Sequence, residues 1–172
     1  MVIRQASLQD INKLRQVFLS CESNDELDMS RLVRFIASQG RTFVAQVDGE
    51  VTAFVAVNKV SPGIHALYVE PQSQGQGLGR ALMETAQTYL QQLGVKRATL
   101  HCAVNRPAQH FYRALGWQCR RGDGLWSRRL PAAQGGTRVP DAQWTSRLAD
   151  ADTGSDRATD DCLPAKTRWY LE

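Results

Sequence analysis

The alternation of hydrophobic and polar positions predicts strands separated by helices over the first 130 residues. Short apolar runs bounded by turn residues predict strands, and apolar residues spaced three and four apart predict amphipathic helices. The predicted strands span 2–6, 41–47, 50–60, 64–70, 95–104, 117–121 and 125–130, and helices begin near residues 7, 30, 78 and 107. This order predicts an α/β (α+β) fold, with a mixed, mostly antiparallel central sheet of about seven strands flanked by about four helices.

Local signals mark the element boundaries. Asp48-Gly49 between two apolar runs is a strong hairpin signal, and Gly122-Asp123-Gly124 predicts a second hairpin. Ser7, with an acid at Asp10, predicts the start of the first helix. The helix from 78 to 93 is expected to bury one face, formed by Leu82, Ala86, Tyr89, Leu90 and Leu93.

The composition divides the chain into two parts. Residues 1–130 carry the periodic pattern, whereas residues 131–172 contain seven large apolar residues, seven acids and five bases. Such a segment buries too little apolar surface to offset its ordering entropy, so we expect a tail that is disordered or loosely docked. The alternative is that residues 168–171 dock on the sheet or on a partner.

Charge and hydropathy exclude several classes of protein. No apolar run approaches the roughly 18 residues of a membrane span, and the first residues lack the order of a signal peptide, so we expect a cytoplasmic protein with no membrane contact. The net charge is +4, but the basic residues are scattered, which argues against nucleic acid and suits an anionic small molecule. The four cysteines are widely spaced, and no metal site is expected.

A glycine-rich turn between a strand and the helix at 78 is the most informative motif. Its spacing is Gln74-x-x-Gly77-x-Gly79, followed by Arg80. Glycines allow close backbone approach, and the start of a helix presents free N–H groups and partial positive charge, so the motif suits a phosphate or diphosphate. It differs in spacing from the Walker and dinucleotide motifs. A strand-to-helix connection without a ligand is the alternative.

A second element runs from Asn105 to Gly116 and predicts a short helix directly after a strand. Tyr112 lies on or beside its apolar face. It is either a core residue or a phenol directed toward the neighbouring strands.

Together the two elements resemble the GNAT superfamily of acetyl-CoA-dependent N-acetyltransferases, over residues 2 to about 130. The resemblance implies a sheet splayed between the fourth and fifth strands, with acetyl-CoA as co-substrate. It implies that the N–H groups of residues 74–79 hold the diphosphate and that the main chain of Leu67 and Val69 pairs with the pantetheine arm. The implied cofactor-binding residues are Leu67, Tyr68, Val69, Gln74, Gly75, Gln76, Gly77, Leu78, Gly79, Arg80, Asn105 and Tyr112.

The resemblance also implies two catalytic residues. Tyr112 matches the family's general acid, which protonates the thiolate leaving group. The segment from Ile64 to Leu67 is similar to one that carries a catalytic histidine in the arylalkylamine branch, so His65 is the candidate base. That branch has a second histidine where this chain has Gly63, and a structural role for His65 stays open. His101 and His110 are expected to be structural or surface residues.

The acceptor is the least determined part of the prediction. An acidic cluster that includes Glu22 and Glu26 lies where the family forms the acceptor side of its cleft, and carboxylates there would attract a cationic amine. A solvated acidic loop is the alternative. The predicted acceptor is a primary amine of a small molecule or a peptide. A non-catalytic acyl-CoA-binding module is the alternative function, and a homodimer is among the oligomeric states left open.

Overall fold

A computed structural model describes residues 1–21, 40–59, 61–103, 106–119 and 122–132. The strands are β1 (Val2–Gln5), β2 (Gly40–Val47), β3 (Glu50–Asn58), β4 (Gly63–Val69), β5 (Arg97–His101), β6 (Gln118–Cys119) and β7 (Leu125–Arg129). The helices are α1 (Ile11–Cys21), α2 (Leu78–Gln92) and α3 (Ala108–Ala114). The helix predicted near residue 30, Glu22, Glu26, Asn105 and the tail after residue 132 lie outside the described residues.

The seven strands form one mixed sheet in the order β1-β2-β3-β4-β5-β7-β6. Every neighbouring pair is antiparallel except β4 and β5, which run parallel. The predicted mixed, mostly antiparallel sheet is therefore confirmed. The Asp48-Gly49 turn joins β2 to β3 as expected, and both of its residues have positive φ, at 50° and 86°.

The sheet splays between β4 and β5, as predicted. These strands pair only at Gly63 with Thr99 and at Ile64 with Leu100, whereas β4 remains paired with β3 as far as Val69. A Cβ on Gly63 would lie 2.6 Å from the carbonyl oxygen of Thr99. Glycine thus permits the close strand contact from which the gap opens.

Hydrophobic side chains pack on both faces of the sheet. On one face α1 contributes Leu14, Val17 and Phe18 to a cluster with residues of β3 and β4. On the other face α2 and α3 cover the larger cluster, which includes Leu82, Met83, Leu90, Tyr112 and Trp126. Leu93 was expected in this face, but it follows the end of α2 and is 47% exposed, so that prediction is wrong.

The beginning of α1 is held to β1 by an ion pair. Asp10 accepts hydrogen bonds from the Ser7 backbone N–H at 2.7 Å and from both terminal nitrogens of Arg4 at 2.8 and 2.7 Å. The Arg4 guanidinium holds the pKa of Asp10 at about 2, well below its usual value. The predicted Ser7–Asp10 pairing therefore also fixes the helix against the first strand.

None of the helices in the described ranges is long and apolar enough to cross a membrane.

Candidate active site

The backbone of β4 turns polar groups toward the gap. The N–H of Glu70 donates to the carbonyl oxygen of Thr52 at 2.9 Å, and the register continues with Tyr68 opposite Phe54. Antiparallel ladders alternate, so the intervening residues Leu67 and Val69 direct their N–H and C=O groups away from β3. Because β5 has diverged at this point, those groups face the opening between the two strands.

The carbonyl oxygen of Val69 already accepts side-chain hydrogen bonds from this side. Gln74 Nε2 and Cys21 Sγ both donate to it, each at 3.2 Å. Gln74 thereby links the end of β4 to the glycine-rich turn.

The turn itself leads directly into α2. Gly75 and Gly77 have φ of 74° and 83°, the left-handed region that other residues adopt only with strain. The first backbone bond of the helix runs from the N–H of Ala81 to the carbonyl oxygen of Gly77, at 3.1 Å. The preceding N–H groups, of residues 78–80, have no acceptor within the helix and carry its positive dipole end.

The turn is open enough to admit an anion. A Cβ built on Gly75 or Gly77 would meet no heavy atom of the described chain within 4 Å. Residues 75–77 and Arg80 are exposed. Free N–H groups, an accessible backbone and a nearby guanidinium fit the diphosphate of a coenzyme A-type molecule.

Gly79 brings α3 against the beginning of α2. A Cβ there would lie 3.3 Å from Cζ of Phe111, so the absent side chain allows the Phe111 ring to pack on the helix. This contact positions the neighbouring Tyr112 relative to the turn.

Tyr112 is both a core residue and a residue of the cleft. It is 6% exposed, and its ring lies 6.1 Å from that of Trp126 and 6.3 Å from that of Trp117, between centroids. Burial raises the pKa of the Tyr112 phenol far above its usual value. The phenol is therefore protonated at neutral pH, the state that a proton donor needs.

His65 occupies a bulge in β4. Ala56 pairs with Ala66 and Val57 with Ile64, which leaves His65 as the extra residue. Because of this bulge, Ile64 and Ala66 belong to clusters on opposite faces of the sheet. A regular strand would place both residues on the face opposite His65, and the bulge breaks that alternation. Burial lowers the pKa of His65, so its imidazole is neutral at pH 7.

The structure brings His65 and Tyr112 together in one cleft at the point where β4 and β5 part. The cleft is lined by Ile64, His65, Ala66, Leu67, Leu100, His101 and Tyr112. His101 was expected to be structural or on the surface. No local pattern indicated its place in the cleft, because the β4–β5 register is what brings the end of β5 next to β4. The turn at residues 74–79 lies beyond the other end of β4, about 16 Å along the strand from Ile64 to Val69 at the usual rise.

These features agree with a family assignment. The acetyltransferase (GNAT) family model matches residues 8–117, so the chain belongs to the GNAT acetyltransferase family. Membership implies the use of acetyl-CoA, which suits the glycine-rich turn and the gap beside β4.

Two curated archaeal relatives have similar sequences. An uncharacterized N-acetyltransferase of Archaeoglobus fulgidus is 29% identical over 131 residues, which are 65% of this chain and 89% of the relative. Another, from Methanocaldococcus jannaschii, is 34% identical over 98 residues, which are 51% of this chain and 43% of the relative.

Solved structures share the fold at low sequence identity. The ribosomal-protein-S18-alanine N-acetyltransferase of Escherichia coli is 19% identical, with a TM-score of 0.64 over 80% of this chain and 98% of that one. The PaiA N-acetyltransferase of Thermoplasma acidophilum, solved with coenzyme A, is 15% identical, with a TM-score of 0.59 over 74% of this chain and 98% of that one.

Proposed function

We propose that this protein transfers an acetyl group from acetyl-CoA to a primary amine of a small molecule or a peptide, by direct attack within a ternary complex. The observation that carries the proposal is the cleft between β4 and β5. It places a buried phenol, Tyr112, and a neutral imidazole, His65, beside the strand edge that leads to the anion-binding turn.

The cofactor would be held at two places. The N–H groups of residues 74–79 and the Arg80 side chain would bind its diphosphate. The outward N–H groups of Leu67 and Val69 and the carbonyl of Leu67 would pair with the amides of its arm, as an added strand would, while the Val69 carbonyl stays bound to Gln74 and Cys21. Bound acetyl-CoA supplies the activated acetyl thioester, and the remaining cofactor contact of the proposal is Asn105, which lies outside the described residues.

His65 and Tyr112, two of the ionisable residues that line the cleft, have complementary protonation states. A primary amine is an ammonium ion at neutral pH and must lose a proton before it attacks, and neutral His65 is able to accept it. The leaving thiolate needs a proton, and Tyr112 is able to donate one. A backbone N–H near Leu67 would stabilise the negative charge on the thioester oxygen. Proximity in the cleft supplies the rest of the rate enhancement.

The proposed acceptor is a cationic amine. Glu22 and Glu26, which lie outside the described residues, would attract it electrostatically. A peptide acceptor deserves inclusion in a test, since one neighbour of the same fold is by name an alanine N-acetyltransferase.

The test measures free thiol after the protein is mixed with acetyl-CoA and an amine. The panel contains phenethylamine, spermidine, lysine and a tetrapeptide with a free N-terminal alanine. Amine-dependent thiol release that Tyr112→Phe slows supports the proposal. Tight binding of acetyl-CoA without thiol release from any amine would instead favour the alternative, a non-catalytic acyl-CoA-binding module.

A further inference from the structure

His101 is the cleft residue to which the proposed reaction assigns no role. It ends β5 and is exposed, whereas His65 on β4 is partly buried. The parallel register pairs Ile64 with Leu100, so His65 and His101 are the next residues on the two strands as the strands diverge. Both line the same cleft.

The position of His101 is set by the turn between β6 and β7. A Cβ built on Gly124 would lie 3.1 Å from Nε2 of His101 and 2.8 Å from the carbonyl oxygen of Cys102. The backbone of the turn therefore packs directly against the imidazole. His101 is thus placed at the mouth of the cleft by contacts on one side and exposed to solvent on the other.

The proposed reaction creates a need for such a residue. When an ammonium ion is acetylated, one proton leaves the site in every turnover. His65 is partly buried, so the proton that it accepts needs a route to bulk water. An exposed imidazole has ring nitrogens that both accept and donate protons, so it is suited to exchange protons with solvent.

We propose that His101 is a second proton-transfer residue that acts through His65 and connects the cleft to solvent; this inference rests on the proposed function. The ammonium N–H bond breaks as its proton passes to His65. That proton moves on to His101, directly or through water, and then to solvent. As the amine attacks, the C–S bond breaks, Tyr112 protonates the thiolate, and the second proton of the attacking nitrogen restores Tyr112.

Other ionisable groups near His101 come from the elements packed against it. The Tyr112 phenol on α3 and the Cys102 thiol, which directly follows β5, remain protonated because burial raises the pKa of each. Arg106 acts electrostatically on Cys102. Asp123, in the β6–β7 turn, accepts a hydrogen bond from the N–H of Leu125 at 3.0 Å. Among these described groups, the two imidazoles are the ones whose ring nitrogens are suited to relay a proton.

The test compares His101→Gln with the wild-type protein on the best alkylamine of the panel. We expect kcat/KM at pH 7 to fall about tenfold, less than the loss of a direct acid or base. Added imidazole buffer should restore most of the rate. The difference in kcat/KM between His101→Gln and the wild type should shrink above about pH 10, where the amine loses its proton without help from the protein. His110→Gln, at an exposed position on α3, is the matched control and should retain the wild-type rate.

Coenzyme A affinity and melting temperature should be the same in His101→Gln as in the wild type. A variant with the wild-type rate at every pH would overturn the inference. A loss of kcat/KM that persists at high pH and is not restored by added imidazole would also overturn it, because replacing a merely structural residue gives that result. Wild-type protein that acetylates no amine contradicts the proposed function itself, which is a distinguishable result.

Discussion

The side-chain amide of Gln74 donates a hydrogen bond to the carbonyl oxygen of Val69, at 3.2 Å. Val69 ends β4, and Gln74 begins the glycine-rich turn that leads into α2. This side chain thus links the strand edge to the glycine-rich turn. In the proposed function these are the two places that bind one extended cofactor, so their separation has to be constant.

Replacement of Tyr112 by phenylalanine tests the proposed acid. The substitution removes the hydroxyl but retains the ring that packs against Trp117 and Trp126. We expect kcat to fall by about 10²-fold or more, with little change in KM for acetyl-CoA. Steady-state kinetics with thiol detection gives both constants. An unchanged kcat would remove Tyr112 from the mechanism.

Replacement of His65 by alanine tests the proposed base through the pH profile. In the wild type, kcat/KM should decline in acid as His65 becomes protonated, at a pH below the usual histidine value because burial lowers its pKa. His65→Ala should lose this acidic limb together with most of its activity at pH 7. His110→Ala is the control. If His65→Ala keeps the decline of kcat/KM in acid, a group other than His65 causes that decline.

Replacement of Gly63 by alanine tests the contact from which the splay opens. The added methyl would stand 2.6 Å from the carbonyl oxygen of Thr99, so the strands must separate. We expect the free energy of unfolding to decrease by about 1–3 kcal/mol, the usual cost of overpacking. Urea unfolding followed by fluorescence measures it. Wild-type stability would mean that β4 and β5 adjust freely at this point.

Replacement of Asp10 by asparagine tests the ion pair that holds α1 to β1. The pKa of Asp10 is about 2 in the folded protein, below its unfolded value of 3.8, so its contribution to stability is present above about pH 4 and is lost as the pH falls toward 2. At pH 7 the free energy of unfolding of the variant should be about 1–2 kcal/mol lower than that of the wild type, with allowance for solvent screening at Arg4.

Denaturant unfolding at pH 7 and at pH 2 measures this difference. The difference in free energy of unfolding between Asp10→Asn and the wild type should be smaller at pH 2 than at pH 7. Lys13→Met, which removes an exposed ion pair with Glu50, is the control. Its free energy of unfolding should differ little from that of the wild type. An equal loss at both pH values would assign the effect to something other than ionised Asp10.

Local patterns predicted much of the fold. The Asp48-Gly49 hairpin, the Ser7–Asp10 helix start and the helix from Leu78 follow from turn chemistry and periodicity, and each is found. Leu93 was predicted to share a helix face with Leu82 and Leu90 because it continues the helical spacing, but the helix ends one residue earlier. Periodicity alone does not locate the end of a helix to within one residue.

The relationships that depend on register could not be predicted in the same way. His65 sits in a bulge of β4. Because most residues of this strand are apolar, its sequence has no alternation of hydrophobic and polar positions that a bulge would interrupt. The neighbouring position of His101 requires the parallel pairing of Ile64 with Leu100, a contact between strands more than 30 residues apart. The Gln74–Val69 bond likewise depends on how the chain returns after β4.

Calorimetric titration with coenzyme A is the most direct test of the central claim, that the turn from Gln74 to Gly79 binds the cofactor diphosphate. Gly77→Val places a side chain over the N–H groups, and Gly122→Val imposes similar left-handed strain (φ 67°) in the β6–β7 turn. We predict micromolar binding to the wild type and to Gly122→Val, and at least tenfold weaker binding to Gly77→Val. Absence of heat with folded wild-type protein, or equal affinity in both variants, would contradict the account.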